Sequence, residues 1–501
     1  MRCLIVAAAL LASVPATAKV QSAPPLLAAP YLLGSSVYSV RDFAPEISAG
    51  IGRPVSATSL EALGAAIRAR YVRDGYISPV ITIPSEDVGS ATPRLYVFEA
   101  RIVDVLIKGD PGPYGPRITA YVRTVRDSPT LRKEPLRQAL RRIAALPGLT
   151  SRPVFDPLPG GLNEFLMVLN TSYRPLAVEL NTSNSGTGEL GRVLYAGSVA
   201  LNGLLGAGER IQVQAASSSL SGRYRYADVK VSRGFGAAEL YVDSAGSEAA
   251  PDPDIRFSDR NTTLGIRRGV ARIAGGSLTL RAAVRADASV IRDSSNFHLV
   301  DDRIRSFTIG LGFEVFRPVS QTSLYATVDQ GVHAWNASSL DADESGVDVG
   351  FTRYLFGVTH SVALSPLWRV RLNLDAQQSS ATLPVVERFA FGGLGWGAAF
   401  DPASLVGDSG AAVSAELGRS LRPWMKAKYA TLFARVDYGI AWNNAPYLPS
   451  RDDAASLSSG LLVGWPYVSS SFELSTPLHQ PANAPAADSL RGLFSITVDF
   501  F

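Results

Sequence analysis

Cysteine is nearly absent from this sequence. Cys3 is the only one in 501 residues, and it lies at the very start of the chain. With no second thiol there is no internal disulfide and no thiolate zinc cluster. Once the first residues are removed there is no thiol catalysis either. Histidine is almost as scarce: His298, His333, His360 and His479 are scattered, with no HExxH or similar metal-ligating spacing. No phosphate-binding G-x-x-x-x-G-K-[ST] loop and no G-x-S-x-G elbow occurs. Gly407–Gly410 spells GDSG, the letters of a serine-protease nucleophile, but no histidine and aspartate context accompanies it and Ala411 follows. Charge is thin as well. Charged residues are 18% of the chain and the net charge is +4, which makes no case for a nucleic-acid partner. No stretch reaches the ~18 consecutive apolar residues of a spanning helix. These absences point away from an enzyme, a cofactor, a metal centre and a helical membrane anchor.

What is present begins with an export signal. Arg2 precedes the apolar run CLIVAAALLASV, and Ala16-Thr17-Ala18 supplies a small-residue cleavage site, so residues 1–18 read as a signal peptide. Cys3 is too early to be the lipid-bearing residue of an anchored protein. Residues 19–35 are rich in proline, alanine and leucine and read as an extended segment.

Two stretches of mixed period follow, residues 36–100 and 101–174. In the first, VYSV (Val37–Val40) suits a strand. Ser59 is placed to cap a helix whose Leu60, Leu63, Ile67 and Tyr71 share one face, and VITIP and RLYVFEA suit strands. The second repeats the pattern. ARIVDVLIKGD is a strand, Pro116 to Val125 and RKEPLRQALRRIAAL are helices, and TSRPVFDPLPG and NEFLMVLNTSY are strands. The expectation is two small α+β modules in tandem.

Over residues 175–501 the helical period gives way to strict alternation. In SLTLRAAVRADASVI, Leu278, Leu280, Ala282, Val284, Ala286, Ala288 and Val290 share one face; Thr279, Arg281, Arg285, Asp287 and Ser289 share the other. Trp368, Val370, Leu372 and Leu374 alternate with Arg369, Arg371, Asn373 and Asp375. In KYATLFARVDYGIAW, Leu432, Ala434, Val436, Tyr438 and Ile440 oppose Phe433, Arg435, Asp437 and Gly439. Strands of a soluble sandwich average about five or six residues, whereas a membrane-spanning strand needs about 9–11. Apolar-out and polar-in strands of this length, in an exported chain without disulfides, predict a transmembrane β-barrel, which must close because lipid satisfies no backbone group. At roughly 20 residues per strand and connection the region holds about 16 strands. The chain ends SLRGLFSITVDFF. There Phe500 shares a face with Phe494, Ile496 and Val498 while Phe501 falls on the other, and both are candidates for barrel closure.

One stretch breaks the alternation. Residues 388–410, RFAFGGLGWGAAFDPASLVGDSG, crowd Gly392, Gly393, Gly395 and Gly397 together with Phe389, Phe391, Trp396 and Phe400. Glycines of this density disrupt both helix and strand, and the bulky aromatics predict a loop that folds inward and packs.

The whole order, a leader, two small α+β modules and a barrel, resembles the outer-membrane transporters of two-partner secretion. These form the haemolysin secretion/activation (TpsB) family of the BamA-type superfamily. The resemblance implies a mainly β fold in which two periplasmic α+β POTRA domains precede a transmembrane β-barrel of about 16 strands. It also implies that 388–410 is the family's inward-folded lumenal loop, which typically reads F-x-x-G-G, then R-G-[FY]-D-P, then G-D-x-G. This chain matches with Phe389, Gly392 and Gly393, with Phe400, Asp401 and Pro402, and with Gly407, Asp408 and Gly410, Trp396 lying between. It departs where the family's Arg-Gly falls on Ala398-Ala399. In the family that arginine pairs with a lumenal aspartate in an F-x-D-x-G motif, which here reads Arg435-Val436-Asp437-Tyr438-Gly439. Arg435 is therefore expected to supply the missing charge against Asp437. Glu416 joins Arg435, Asp437 and Gly439 as a candidate barrel-wall partner. Alternatively, the aromatics alone hold the loop.

The function implied by the resemblance is an outer-membrane pore of a Gram-negative bacterium. It would recognise a periplasmic exoprotein through its POTRA domains and translocate it unfolded without ATP. The alternatives are a BamA-like insertase and, further off, a passive porin. The implied partners are the secreted exoprotein, outer-membrane lipid and, during its own insertion, the barrel-assembly machinery; no nucleic acid, cofactor, metal or enzymatic activity is expected. Some family members carry a plug helix and linker at the N-terminus, for which residues 19–35 are too short.

Overall fold

The computed structural model describes residues 25–501 apart from 220–221, 274, 341–345, 423–425, 447, 483–487 and 501, so the signal peptide and Phe501 lie outside the described residues. The chain divides into two compact units. One comprises residues 1–108, 119–141 and 152–170; the other comprises 109–118, 142–151 and 171–501.

In the first unit, β1 (Tyr31–Leu33), α1 (Ala44–Ser48), α2 (Ala57–Arg73), β2 (Val80–Thr82) and β3 (Arg94–Phe98) form an α+β module in which β1 runs parallel to β3 and β2 pairs antiparallel on its other side. Phe43, Ile47, Leu63, Ile67, Tyr71, Leu95 and Val97 make its core. VYSV is not a strand. It leads into a short 3-10 turn at Val40–Phe43, and Val37 and Tyr38 pack on the core instead. The strand that completes the sheet is β1, within the segment read as extended. The cap of α2 is Ser56 rather than Ser59. Ser56 Oγ accepts from the Ser59 N–H at 3.1 Å, and Ser59 Oγ accepts from the Ser56 N–H at 2.9 Å. Three-residue spacing lets the two hydroxyls satisfy both backbone donors, whereas a cap at Ser59 would face Ala62, which cannot reciprocate.

Just after β3, the Glu99 carboxylate accepts from the Ser36 and Val37 N–H groups at 3.1 and 3.2 Å. It also accepts from the Tyr71 and Thr130 hydroxyls at 2.7 and 2.6 Å. Burial alone would push its pKa up, but these donors outweigh it and hold it below the usual value. The next elements are β4 (Arg101–Gly109), α3 (Gly115–Arg126), α4 (Lys133–Ala144), β5 (Leu149–Pro157) and β6 (Glu164–Tyr173), with sheet order β4-β6-β5.

The second unit is a closed barrel of sixteen long strands among the described residues. They begin with β7 (Leu176–Ser183), β8 (Leu194–Asn202), β9 (Glu209–Ser218), β10 (Tyr224–Phe235), β11 (Ala238–Asp252) and β12 (Ile255–Ile273). Next come β13 (Gly276–Asp293), β14 (His298–Phe316), β15 (Ser320–Gly331), the two-residue β16 (Ser338–Ser339), β17 (Thr352–Ala363) and β18 (Trp368–Ser379). Two short strands, β19 (Phe389–Phe391) and β20 (Leu405–Gly407), belong to the internal loop. The barrel resumes with β21 (Ser409–Ser420), β22 (Tyr429–Trp442), β23 (Arg451–Gly464), β24 (Val468–His479) and β25 (Arg491–Phe500). Neighbours are antiparallel throughout. Closure comes from β25 against β7, from Ser495↔Ser183 to Phe500↔Val178.

Alternation sorts the two faces as the sequence indicates: Val436 is 45% exposed on the outside while Asp437 next to it is 0% exposed inside. Leu264, Val284, Phe307, Ile309, Leu372 and Leu432 likewise form an exposed apolar outer surface, and Phe500 lies on it. The end where β7 starts is here the near end. At the far end β11 to β14 are the longest strands, and His298–Arg305 of β14 run on past β15, whose pairing stops at Ser306↔Gly331. That is roughly 25 Å of extra strand.

Candidate functional site

The connection from β18 to β21 enters the barrel. It folds as a hairpin, with Phe389 opposite Gly407 and Phe391 opposite Leu405. Its tip is drawn tight by the Gly392 N–H on Trp396 O and the Gly393 N–H on Phe400 O, both at 3.1 Å. Gly392 and Gly397 hold φ values of +124° and +68°, and a Cβ on Gly392 would stand 2.2 Å from the Asp401 carbonyl oxygen. Glycine is needed there for both reasons.

Aromatic packing fixes the hairpin to the wall. Phe389, Phe391, Ala399, Phe400 and Leu405 are buried with Ala412, Ala441 and Ala454, lumenal alanines of β21, β22 and β23, and Trp396 packs on the cluster. Two wall glycines serve as sockets. A Cβ on Gly439 would lie 2.4 Å from the Phe391 ring, and one on Gly410 would lie 2.1 Å from the Phe389 ring. Burying each phenylalanine is worth about 1.5–3 kcal/mol.

The expected pair of Arg435 and Asp437 is present. Arg435 Nε lies 3.1 Å from Asp437 Oδ2, and its Nη2 reaches Glu473 of β24 at 2.7 Å. The loop meets Asp437 through its backbone: the Gly397 N–H donates to Oδ2 at 3.3 Å. Ala398 itself is fully buried, and among the described residues Asp437 Oδ1 has no hydrogen-bond partner. Asp408, fully buried, accepts from the Leu383 N–H at 2.8 Å and the Asn444 N–H at 2.7 Å, with Arg388 Nε at 3.7 Å. A Cβ on Gly407 would stand 2.7 Å from the Trp442 carbonyl oxygen. Glu416 faces the lumen, and its ion pair, at 3.8 Å, is with Arg371 of β18 rather than with the loop.

Two anchors escaped the sequence reading. Arg491, at the start of β25, lies 2.9 Å from Asp401 of the loop. It also donates to the Phe400 carbonyl and, at 3.3 Å, to the carbonyl of Gly186 in the connection after β7. On another part of the wall, Glu387 is buried between Arg285 of β13 and Arg353 of β17, with Arg353 Nη2 at 2.7 Å. Arg353 also holds Asp329 at 2.6 Å, and Arg285 holds Asp287 at 2.9 Å. Arg353 and Gln377 donate to the Glu387 carbonyl at 2.7 and 2.8 Å. The loop is thus moored at one end to β13 and β17 and at its tip to β22 and β25. Parity was the available signal, because Arg491 is two residues from Leu493 on the inward face. The polarity is the reverse of that implied by the resemblance: here a loop carboxylate, Asp401, meets a wall arginine.

GDSG has a structural job. Ser409 Oγ accepts from the Ser379 N–H and donates to the Ser379 carbonyl, both at 3.0 Å, joining the far ends of β18 and β21. Among the described residues no three His, Cys, Asp or Glu side chains are grouped to hold a metal ion. A cavity of about 1490 Å³ occupies the lumen, lined by polar side chains such as Arg210, Glu239, Arg281, Tyr325 and Asp375 and reaching Pro147–Leu149 at the near end.

Among solved structures the chain is similar to CdiB from Escherichia coli, at 18% identity over 96% of this chain and 92% of that one, TM-score 0.77. CdiB from Acinetobacter baumannii is similar at 13% identity over 95% and 90%, TM-score 0.66. BamA from Haemophilus ducreyi lacking POTRA domains 1-3 is similar at 14% identity over 95% and 100%, TM-score 0.52. At these identities the likeness is one of fold. No curated protein matches in sequence. Family models are more specific: the ShlB-type POTRA domain matches residues 31–100, and the haemolysin secretion/activation protein ShlB/FhaC/HecB matches residues 166–463. The second of these spans more than half of the sequence, and the chain belongs to the haemolysin secretion/activation protein ShlB/FhaC/HecB family, whose outer-membrane β-barrel it carries.

Proposed function

We propose that the protein passes an exoprotein, unfolded, from the periplasm through its barrel to the cell surface. The observation that carries this reading is the internal loop. It fills a closed barrel beside a polar cavity, and polar contacts on separate parts of the wall moor it, contacts that a passing chain can replace. In this reading the α+β modules are periplasmic POTRA domains, at roughly 36–100 and 101–174, and they receive the client. A client segment adds as a strand to a module's open sheet edge, where backbone hydrogen bonds give sequence-tolerant affinity. The chain then threads past Arg281 and its neighbours once the tip leaves Asp437 and Arg491. Folding outside draws it forward, and no nucleotide is used, in keeping with the lack of a phosphate-binding loop. Ser409, with its hydroxyl committed to the backbone, supports no catalytic role.

The test is a deletion strain compared with its parent by secretome and by outer-membrane protein content. Loss of one or a few large exoproteins from the medium, with other barrels intact, is the expected result. General loss of outer-membrane barrels would replace this reading by that of an insertase, and an unchanged secretome would leave a passive pore.

A further inference from the structure

On the outer surface of β10 to β14, arginines gather in the rows just beyond the apolar belt at the far end. The belt on β12 runs through Ile266 and Leu264, and on β14 through Ile309 and Phe307, all exposed and outward. Two or four residues farther along the same outward faces stand Arg260 of β12 and Arg305 and Arg303 of β14. Arg260 and Arg303 flank Ala288 in one ladder row. Arg256 of β12 sits directly opposite Arg292 of β13, and Arg225 of β10 lies on the same face. Like charges directly opposed on one sheet face are unfavourable unless something shares them.

The acids on this face are too few to answer. Asp301 is engaged by His298 at 3.2 Å and Arg303 at 3.6 Å, and Glu248 lies opposite Arg225 in the ladder and makes no ion pair among the described residues. Asp252 and Asp293 are used in the turns, accepting from the Asp254 N–H at 2.8 Å and the Phe297 N–H at 2.8 Å. Among the described residues Arg225, Arg256 and Arg260 make no ion pair, and all three are exposed. Elsewhere at the same end the outward face is sparser in charge: Gln330, Thr352 and Tyr354, Gln378 and Trp442 on β15, β17, β18 and β22 are uncharged, and β23 adds Arg451 opposite Trp442 and Asp453, which His479 engages at 3.7 Å. Arginine is therefore densest on this sector, with only Arg451 matching it elsewhere among the described outward positions, on the face that meets lipid, at the height where headgroups begin.

We infer that this sector binds the phosphate groups of the phosphorylated glycolipid of the outer leaflet, lipid A, with its acyl chains on the apolar rows below. Guanidinium forks match phosphate oxygens two at a time, and the belt beneath favours a lipid over a soluble anion. The inference rests on the reading above that the modules preceding β7 are periplasmic, which puts the far end of the barrel on the outside.

Two measurements test it. The full-length barrel and an R225Q/R256Q/R260Q variant, both checked for folding by circular dichroism, are titrated in detergent with bisphosphorylated lipid A and with dephosphorylated lipid A. The variant is expected to bind bisphosphorylated lipid A at least about tenfold more weakly, each arginine near a charged lipid surface contributing several-fold. The dephosphorylated lipid is expected to bind both proteins equally weakly. Equal affinity of the two proteins, no preference for phosphate, or displacement by equimolar inorganic phosphate would each overturn it. Topology is read separately. A cysteine placed by Asp254→Cys should react in intact cells with a membrane-impermeant maleimide. Protection there, with lipid binding retained in vitro, would sink the orientation and this proposal with it, while binding lost with labelling retained would sink the proposal alone.

Discussion

Arg353 and Arg256 project from the same barrel into opposite surroundings. Arg353 faces the lumen, is 7% exposed, and divides its guanidinium between Asp329 and Glu387. Arg256 faces outward, exposed, opposite another arginine. The inward arginines that moor or brace the loop, Arg285, Arg353, Arg435 and Arg491, have carboxylate partners within the chain in every case. These four are largely buried where the loop lies against the wall, with little water to turn to, so their partners must be built in, whereas Arg281, which lines the cavity, donates to the Tyr241 hydroxyl. Outside, at a headgroup boundary, the partner can be supplied by the surroundings. The inward arginines thus tell where the loop is held, and the outward ones tell what the barrel stands in.

The sharpest way to break this contrast is at Arg353. Arg353→Ala leaves Asp329 and the buried Glu387 short of a cation, at a cost of about 3–5 kcal/mol. A lowered urea midpoint of the barrel in detergent, together with frequent large conductance steps in planar bilayers as the loop comes loose, is the expected result. An unchanged midpoint would mean that Glu387 is held by Arg285 alone.

Arg435 comes next. Arg435→Ala removes the cation from Asp437, which keeps only the Gly397 N–H among its loop contacts. The expected loss is about 3 kcal/mol, the lower end of the range for a broken buried pair. The free Asp437 Oδ1 makes the rescue specific: adding Ala398→Arg should restore part of the stability and quiet the channel. If Ala398→Arg restores nothing, the loop tip does not approach Asp437 closely enough for the two positions to exchange roles.

How far the sequence led depends on the kind of signal. Alternation alone sorted Val436 outward and Asp437 inward, and it gave the barrel and a strand count that the structure matches. The pairing of Arg435 with Asp437 was legible because the two residues are neighbours in one strand. Asp401 with Arg491, and Glu387 with Arg285, were not, because those partners are brought together only by closing the barrel and folding the loop. Parity marks Arg491 as lumenal, but it cannot say which carboxylate arrives there. At Ser56 the error had another origin: two serines three apart both look like caps, and only the reciprocal bond to Ser59 chooses between them.

Arg491 offers a smaller but cleaner test of the mooring. Asp401 is partly exposed, so the ion pair itself is modest, and the hydrogen bonds to Phe400 and Gly186 carry much of the effect. Arg491→Ala should cost about 1–3 kcal/mol and raise the open fraction of the pore. In the double exchange Arg491→Asp with Asp401→Arg, closure should return further than stability, because the exchanged pair re-forms while the two carbonyl contacts do not. A double variant as noisy as Arg491→Ala would show that the carbonyls, not the ion pair, hold the tip.

The smallest expected effect is the one that most sharpens the contrast between the two sets. In detergent, with no phosphorylated lipid present, Arg225, Arg256 and Arg260 have nothing to lose, so each change to Gln should move stability by no more than about 0.5 kcal/mol. For Arg256 the sign should even favour the variant at low salt, since Gln relieves the direct opposition to Arg292, and the gain should fade as salt screens the pair. In bilayers containing lipid A the order should reverse, with the parent protein the more resistant to urea. Urea midpoints at low and high salt, in detergent and in such bilayers, separate these cases. A loss of several kcal/mol already in detergent would show that these arginines, like those inside, have partners within the chain, and the two sets would become one.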